Sequence, residues 1–320
     1  MILTDVDYYR VVEPLFEGAR VILSYRGEKY SPEYIQGIAG SAFRIGGICP
    51  CAPTCTSAMS TAELIKLLGY ECVEYPITGE GLNTEDRLTE MIALVQTNIQ
   101  QNRPVLVWHA FTNYEWDVVC GYDEDAALFY GRGSYTSHNE YAKADQKRTA
   151  NAAPNLGAIF IGENLEQFKA RTAEIAALHE AVKHAHSLMN ADTQTEDKWV
   201  FLEGLLCYDR WVHDFSKPTK ERTAGDSYCQ HIYSSTHRAA AGFLREIAHN
   251  HPQVTTQLSQ AADHFQQEAI ILANCQSLIG WQTAVGPDAV RNEQVSKLLS
   301  QAREQYKQGI TQIEAALAHL

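Results

Sequence analysis

The composition of the chain changes near residue 163, and this change limits the fold more than any other feature of the sequence. Before it lie short apolar and β-branched runs separated by turn residues, which is the pattern of strands. After it the chain is rich in Ala, Gln, Leu and Glu with apolar residues at helical spacing. At 320 residues the chain is long for one core. We therefore predict an α+β domain at 1–163 and an all-α helical bundle at 164–320.

Individual elements follow from local signals. Pro32 opens a short predicted helix, "SAFRI" after it is a predicted strand, and Gly69 ends a helix that contains Met59 and Ile65. The runs "RPVLVWHAF", "EWDVVCGYDED", "ALFYGRGSY" and "GAIFIGE" predict antiparallel strands. Asn164, with Gln167 three residues later, is the predicted N-cap of the first bundle helix. The predicted bundle helices are 165–190, 196–215, 228–250, 253–281 and 287–319.

Charge excludes two classes of partner. The formal net charge is −13 and no basic run interrupts it, so neither nucleic acid nor an anionic membrane surface is an expected partner. No apolar stretch reaches the ~18 residues that a membrane span needs. The opening "MILTDVDYYRVVEPLF" lacks a basic leader followed by an apolar run, so we expect a cytoplasmic protein with reduced thiols.

Three cysteines, Cys49, Cys51 and Cys55, fall within seven residues. We place Cys55 at the start of the helix that contains Met59, where the helix dipole and free N–H groups favour a thiolate. Zinc is an alternative, with His109 as a fourth ligand, but a one-residue gap is unusual in zinc sites. We therefore predict no cofactor and no metal, with Cys49 and Cys51 as weak candidate ligands. A packed, reduced loop is the other alternative.

The stretch from Ser31 to Tyr135 resembles a known family. The segments "GSAFRI", "AELIKLLGYE", "NRPVLVWHAF" and "EWDVVCGYDEDAALFY" are similar, in order and spacing, to the amino-terminal domain of butirosin biosynthesis protein H and to double-glycine peptidases. The resemblance covers about a third of the chain. It implies a papain-like fold with a Cys near a helix start and a His on the strand before Gly-Tyr-Asp.

The chain departs from this family pattern at the histidine. The family His lies about six residues before the Gly of Gly-Tyr-Asp, and counting back from Gly121 gives Glu115. The position of the third, orienting residue reads Gly131, Arg132, Gly133. A carboxylate pKa near ~4.3 lies about four units below that of a thiol, a mismatch of roughly 5–6 kcal/mol for proton transfer. We therefore predict that the usual dyad is broken.

Other residues near this strand have alternative interpretations. His109 is either a base for Cys55 or a histidine hydrogen-bonded beside the sheet. Glu115 and Asp117 share a face of a regular strand, where they bind an amine or cation or, alternatively, blunt an edge strand. Arg132 is expected to face the cleft and pair with a carboxylate. We interpret Trp211 and Trp281 as core residues. We interpret the histidines of the first bundle helix as part of a solvated face; they are His179, His184 and His186.

These observations predict a papain-fold protein with a degenerate dyad, which binds a small molecule or peptide-like ligand in a cleft between Cys55 and Glu115. One alternative is an active acyltransferase, amidase or peptidase with Cys55 as nucleophile and His109 as base, reacting through an acyl-thioester. A second alternative is a metal-binding interaction module. The helical domain would cover the cleft or form a homodimer.

Overall fold

A computed structural model describes residues 1–13, 16–46, 59–153, 155–193, 200–221, 224–280 and 286–320. The chain folds into two compact units. Unit 1 comprises Met1–Pro32 and Ser60–Lys169, and unit 2 comprises Glu33–Met59 and Ala170–Leu320. The predicted boundary lies at 163/164, whereas unit 2 also takes in Glu33–Met59 from the amino-terminal half.

Unit 1 is built on a six-stranded antiparallel sheet with the order β1-β6-β2-β3-β4-β5. The prediction of a mixed α and β protein with a helical carboxyl-terminal region is confirmed at this level. The short strand β5 was not predicted, because its four residues include two charged side chains and no large apolar one. The strands are β1 (Tyr70–Tyr75), β2 (Val105–Trp108), β3 (Trp116–Asp123), β4 (Leu128–Arg132), β5 (Ala142–Asp145) and β6 (Ala158–Asn164).

Nine α-helices lie in the described part of the chain. They are α1 (Glu17–Tyr25), α2 (Pro32–Ile38), α3 (Thr61–Leu67), α4 (Thr84–Gln100), α5 (Ala170–Ala185), α6 (Gly204–Ser216), α7 (Ala224–Ile247), α8 (Thr255–Ile279) and α9 (Ala289–Leu317). In unit 1, α1 and α4 both pack against β2 and β3. Every residue of β2 is buried, and so is every residue of β3 except Asp123. Because successive side chains of a strand point to opposite faces, these central strands are covered on both faces.

Helix α3 begins later than predicted. The Ser60 hydroxyl accepts the Glu63 N–H at 3.1 Å and the Glu63 carboxylate accepts the Ser60 N–H at 2.6 Å, which is a capping box. Met59 therefore precedes the helix, and Cys55 is six residues before its first residue. Cys49, Cys51 and Cys55 lie outside the described residues, so the position of Cys55 at a helix start stays a prediction.

Two other local predictions are wrong. The segment "SAFRI" contains a 3-10 turn at Ser41–Phe43 in place of a strand. Asn164 is the last residue of β6, where it pairs with Tyr70, and α5 begins only at Ala170. In both cases partners distant in sequence decide the backbone conformation, and local propensity does not report them.

Unit 2 contains α5 to α9, which correspond to the five predicted helices; α5, α8 and α9 are shorter at both ends, α6 begins later and ends at Ser216, and α7 begins earlier, at Ala224. Trp211 is buried as predicted, whereas Trp281 lies outside the described residues. His179 and His186 are exposed, but His184 is buried, so the prediction of a solvated histidine face is wrong for His184. Among the described helices, none combines the length and apolar character that crossing a membrane requires.

Candidate functional site at the β2–β3 hairpin

The candidate site lies in unit 1, where a seven-residue loop joins β2 to β3. Trp108 pairs with Trp116 across the hairpin, and their rings meet edge to face at 5.3 Å. The His109 N–H continues the ladder by donating to the Glu115 carbonyl at 2.8 Å. The hairpin thus brings the predicted site residues His109, Glu115 and Asp117 to one end of two central strands.

His109 is held in an unusual backbone conformation. Its φ is +59°, and that of Tyr114 is +57°, a left-handed region that residues other than glycine seldom adopt. The Tyr114 N–H donates to Nδ1 of His109 at 3.0 Å. Arg148 donates to the His109 carbonyl at 2.6 Å and to Oδ1 of Asn113 at 2.7 Å. These contacts fix both the loop and the orientation of the imidazole.

The hydrogen bond to Nδ1 determines the protonation of the His109 ring. A nitrogen that accepts an N–H carries no proton, so the neutral ring carries its proton on Nε2. Burial lowers the pKa of His109, and the charge of Arg148 lowers it further. The ring is therefore neutral at pH 7. In this arrangement Nδ1 is occupied as an acceptor and Nε2 is a donor, so neither nitrogen offers a lone pair to a thiol.

Glu115 and Asp117 are both buried, with 3% and 0% of their surface exposed. Strand β3 lies between β2 and β4, so the alternative of a charged edge strand is wrong. Oδ2 of Asp117 accepts the N–H groups of Phe111 at 2.6 Å and Thr112 at 2.8 Å. Asp117 therefore anchors the loop through two of the loop's backbone N–H groups, and its carboxylate does not reach solvent.

Burial raises the pKa of Asp117 to about 7, although the N–H groups of Thr112 and Phe111 and the nearby Thr112 hydroxyl lower it. Neither Asp117 Oδ1 nor Thr112 Oγ1 makes a hydrogen bond of acceptable geometry within the described residues. A Cβ on Gly133 would lie 2.1 Å from that Oδ1 and 2.5 Å from that Oγ1. Only a glycine leaves room for the carboxylate at this position.

Tyr9, in the amino-terminal segment before α1, contacts β3 and was not anticipated from the sequence. Its hydroxyl donates to the Trp116 carbonyl at 2.7 Å. Burial raises the pKa of Tyr9 well above its ordinary value, and the charges of Asp117 and Glu115 raise it further. The phenol therefore stays protonated and acts as a structural donor between the amino-terminal segment and β3.

The chain matches no protein-family model, and no curated protein matches it.

Arg132 has a different role from the one predicted. Its guanidinium stacks on the Tyr141 ring at 4.2 Å. Its Nη1 donates to three backbone carbonyls, those of Ser137, His138 and Glu140. Within the described residues it forms no ion pair with a carboxylate, so the predicted pairing is wrong. Arg132 shapes the loop at 133–141, which follows the strand next to the candidate site.

The hairpin brings together some of the predicted site residues. His109, Glu115 and Asp117 are brought together, while Cys55 and the weak metal candidates Cys49 and Cys51 lie outside the described residues. No group of three or more metal-binding side chains occurs in the part of the chain that the structure describes. The sequence analysis missed Thr112 and Arg148, whose contribution depends on loop geometry that no local pattern signals.

Proposed function

We propose that the amino-terminal α+β unit is a papain-like domain that binds a peptide-like ligand or a small molecule at the β2–β3 hairpin, without His109 serving as the base of a thiol dyad. The resemblance of Ser31–Tyr135 to butirosin biosynthesis protein H and to double-glycine peptidases supports a papain-like ancestry. The presence of Glu115 at the family histidine position supports the loss of the usual base.

One observation carries the proposal: the Tyr114 N–H occupies Nδ1 of His109. A base must present a free lone pair to the proton that it abstracts. In this loop the lone pair of His109 is already used, and the depressed pKa of the ring keeps it neutral. Activating His109 would require breaking the loop's own hydrogen bond.

The same arrangement supports a peptide-like ligand. Nε2 of His109 carries a proton that can donate to a carbonyl. Tyr114 is 53% exposed as a residue, and its ring centroid lies 5.4 Å from that of His109. An N–H donor beside an exposed aromatic face suits a planar amide, which accepts a hydrogen bond and stacks. The carboxylate of Asp117 is less suited to an external cation, because it is fully buried and its Oδ2 already binds two N–H groups.

Thiol labelling tests the absence of a dyad. The protein and its His109→Gln variant are treated with iodoacetamide near pH ~6.5, where an ordinary thiol is mostly protonated, and each cysteine is followed by mass mapping. We expect Cys55 to react at the slow rate of the unfolded protein, equally in both forms. A fast Cys55 that slows in His109→Gln but not in His138→Gln would instead establish the alternative with Cys55 as nucleophile.

Ligand binding is tested separately with a blocked Gly-Gly dipeptide as the probe. Amide NMR of the labelled protein should show shifts at Phe111 and Tyr114 that saturate with concentration. The Tyr114→Ala variant should lose them, while Tyr135→Ala, which changes another exposed tyrosine, should keep them. Saturable shifts confined to other parts of unit 1, or no saturable shifts, would overturn the assignment of the ligand to this hairpin.

A further inference from the structure

Residues 43–46 are held in unit 2 by side chains. Tyr306 donates its hydroxyl to the Phe43 carbonyl at 3.0 Å, and the Ile45 N–H donates to Nε2 of His184 at 2.9 Å. The Tyr233 hydroxyl accepts the Gly46 N–H at 3.1 Å and donates to the Gly46 carbonyl at 2.8 Å.

Apart from a single backbone bridge at Gly46 and Glu203, the backbone groups of this segment that bind distant partners are bound by side chains from α5, α7 and α9. The segment is thus bound by unit 2 as a peptide ligand would be.

The side chain of Arg44 strengthens this attachment. It pairs with Glu203 at 2.9 Å and with Glu180 at 3.3 Å. Both carboxylates belong to unit 2, as does the Gly204 N–H that donates to the Ile45 carbonyl at 2.9 Å. The groove therefore recognises the one charged side chain of the segment as well as its backbone.

His237 joins the segment to the centre of the helical unit. Its Nδ1 lies 2.8 Å from Oε1 of Glu268, and its Nε2 lies 2.9 Å from the Arg44 carbonyl oxygen. Both partners are acceptors, so each ring nitrogen must carry a proton for both hydrogen bonds to form. The geometry therefore requires an imidazolium, fully buried against a fully buried carboxylate.

The surroundings of His237 raise the pKa of its ring, whereas the neighbouring phenols and imidazole stay neutral. Burial lowers the pKa of His237, but Glu268 and the Arg44 carbonyl outweigh it and raise the pKa above 6.5. Burial raises the pKa of Tyr208 and of Tyr306 well above 10, so both phenols stay neutral. Burial, and then the Arg44 charge, lower the pKa of His184 well below 6.5, so that ring stays neutral too.

We propose that unit 2 is an intramolecular receptor for residues 43–46, and that His237 is a proton-dependent latch that releases this segment as the pH rises. Loss of one proton leaves a ring lone pair facing either Glu268 or the Arg44 carbonyl, which removes a hydrogen bond and strains the other contacts. The last residue of the segment, Gly46, is three residues before Cys49 in the sequence. The inference does not depend on a ligand at the β2–β3 hairpin.

Because the folded pKa of His237 is raised, its stabilising contribution is complete below the unfolded pKa of about 6.5 and is lost as the pH rises through the folded value. Amide hydrogen exchange of Ile45 and Gly46 reports the release directly. After correction for intrinsic exchange, we expect their protection to fall about tenfold as the pH rises through the pKa of His237, which NMR of the ring measures independently.

Matched variants separate a proton latch from simple packing. His237→Gln should lower protection at low pH and abolish its pH dependence. Tyr306→Phe removes one uncharged donor, so it should lower protection at every pH and keep the profile. The control His186→Gln, at an exposed histidine paired with Glu314, should match the wild type.

A second variant keeps the proposal testable if His237→Gln does not fold. Tyr208 also donates to Glu268, and Tyr208→Phe removes that donor from the carboxylate. The carboxylate then attracts the imidazolium more strongly, so the midpoint of the exchange profile should move to higher pH. A wild-type profile without pH dependence, or a Tyr208→Phe midpoint that does not follow the ring pKa, would overturn the latch.

Discussion

Asp117 on β3 lies so close to Gly133, the residue directly after β4, that a methyl group on Gly133 would lie 2.1 Å from Oδ1 of Asp117. The missing side chain of Gly133 leaves the space that the buried carboxylate occupies. Since that carboxylate binds the N–H groups of Phe111 and Thr112, a glycine outside the hairpin helps to set the shape of the hairpin loop.

We expect Gly133→Ala to destabilise the protein by at least ~2 kcal/mol, because the new methyl group must displace a buried carboxylate or the backbone of β4. The measurement is urea unfolding followed by circular dichroism. Gly286→Ala is the matched control, since a Cβ there meets no atom within 4 Å, and it should change stability by less than ~0.5 kcal/mol. Equal effects of the two substitutions would contradict the close contact.

Asp117→Asn should alter how stability depends on pH. The pKa of Asp117 is raised to about 7, so the folded state holds the proton more tightly than the unfolded chain. This contribution to stability is present at low pH and falls as the pH rises towards 7. The asparagine does not titrate, so the variant should gain about 3 kcal/mol relative to the wild type between pH 5 and pH 8.

Urea unfolding at several pH values measures this difference. Asp125→Asn, at an exposed turn position, serves as the control and should show a constant difference from the wild type. Burial also raises the pKa of Glu17 to about 7, but Glu17 titrates in both proteins, so its contribution cancels in the difference between them. A difference for Asp117→Asn that does not change with pH would exclude a raised pKa.

Substitutions at His109 should be ranked by their tolerance of a left-handed backbone. Asparagine adopts positive φ readily and offers an oxygen to the Tyr114 N–H, so His109→Asn should cost less than ~1 kcal/mol. Valine is β-branched and offers no acceptor, so His109→Val should cost roughly 2–3 kcal/mol. Unfolding midpoints compare the two, and equal losses would argue against backbone strain at this position.

Arg132→Lys should loosen the loop at 133–141. A lysine ammonium cannot reproduce both the fork to three carbonyls and the stacking on Tyr141. We expect cleavage by chymotrypsin after the exposed Tyr135 to be about fivefold faster, with a stability loss of about 1 kcal/mol. Arg103→Lys alters an exposed pair with Glu163 and should leave the cleavage rate unchanged; an equal acceleration there would remove the special role of Arg132.

Elements with a strong local pattern could be predicted from the sequence, and those held by distant partners could not. The runs "RPVLVWHAF" and "EWDVVCGYDED" are apolar enough to predict β2 and β3. The turn at Ser41–Phe43 could not be predicted, because its conformation depends on side chains such as Tyr306, 263 residues away. His184 was misjudged for the same reason, since its partner Ile45 lies 139 residues earlier.

The sequence indicates which residues lie at the candidate site, but not which contacts each of them makes. His109, Glu115 and Asp117 stand out because polar residues interrupt apolar strands, and these residues do come together. Their roles depend on which of their atoms accept hydrogen bonds from the loop. Nδ1 of His109 accepts the Tyr114 N–H, and Oδ2 of Asp117 accepts the N–H groups of Phe111 and Thr112. Such satisfaction is set by backbone dihedrals within one short loop, and residue spacing does not encode it.

Strand β6, the last of the strands in the described residues, lies between β1 and β2. A ribosome making this protein therefore releases β1 and β2 well before the strand that joins them. In unit 2, the Phe43 carbonyl cannot form its hydrogen bond to Tyr306 until that much later residue has been made. The sheet of unit 1 therefore cannot be completed before residues 158–164 have been made, and the segment at 43–46 lacks its α9 partner until Tyr306 has been made, so the nascent chain must keep both from aggregating during those intervals.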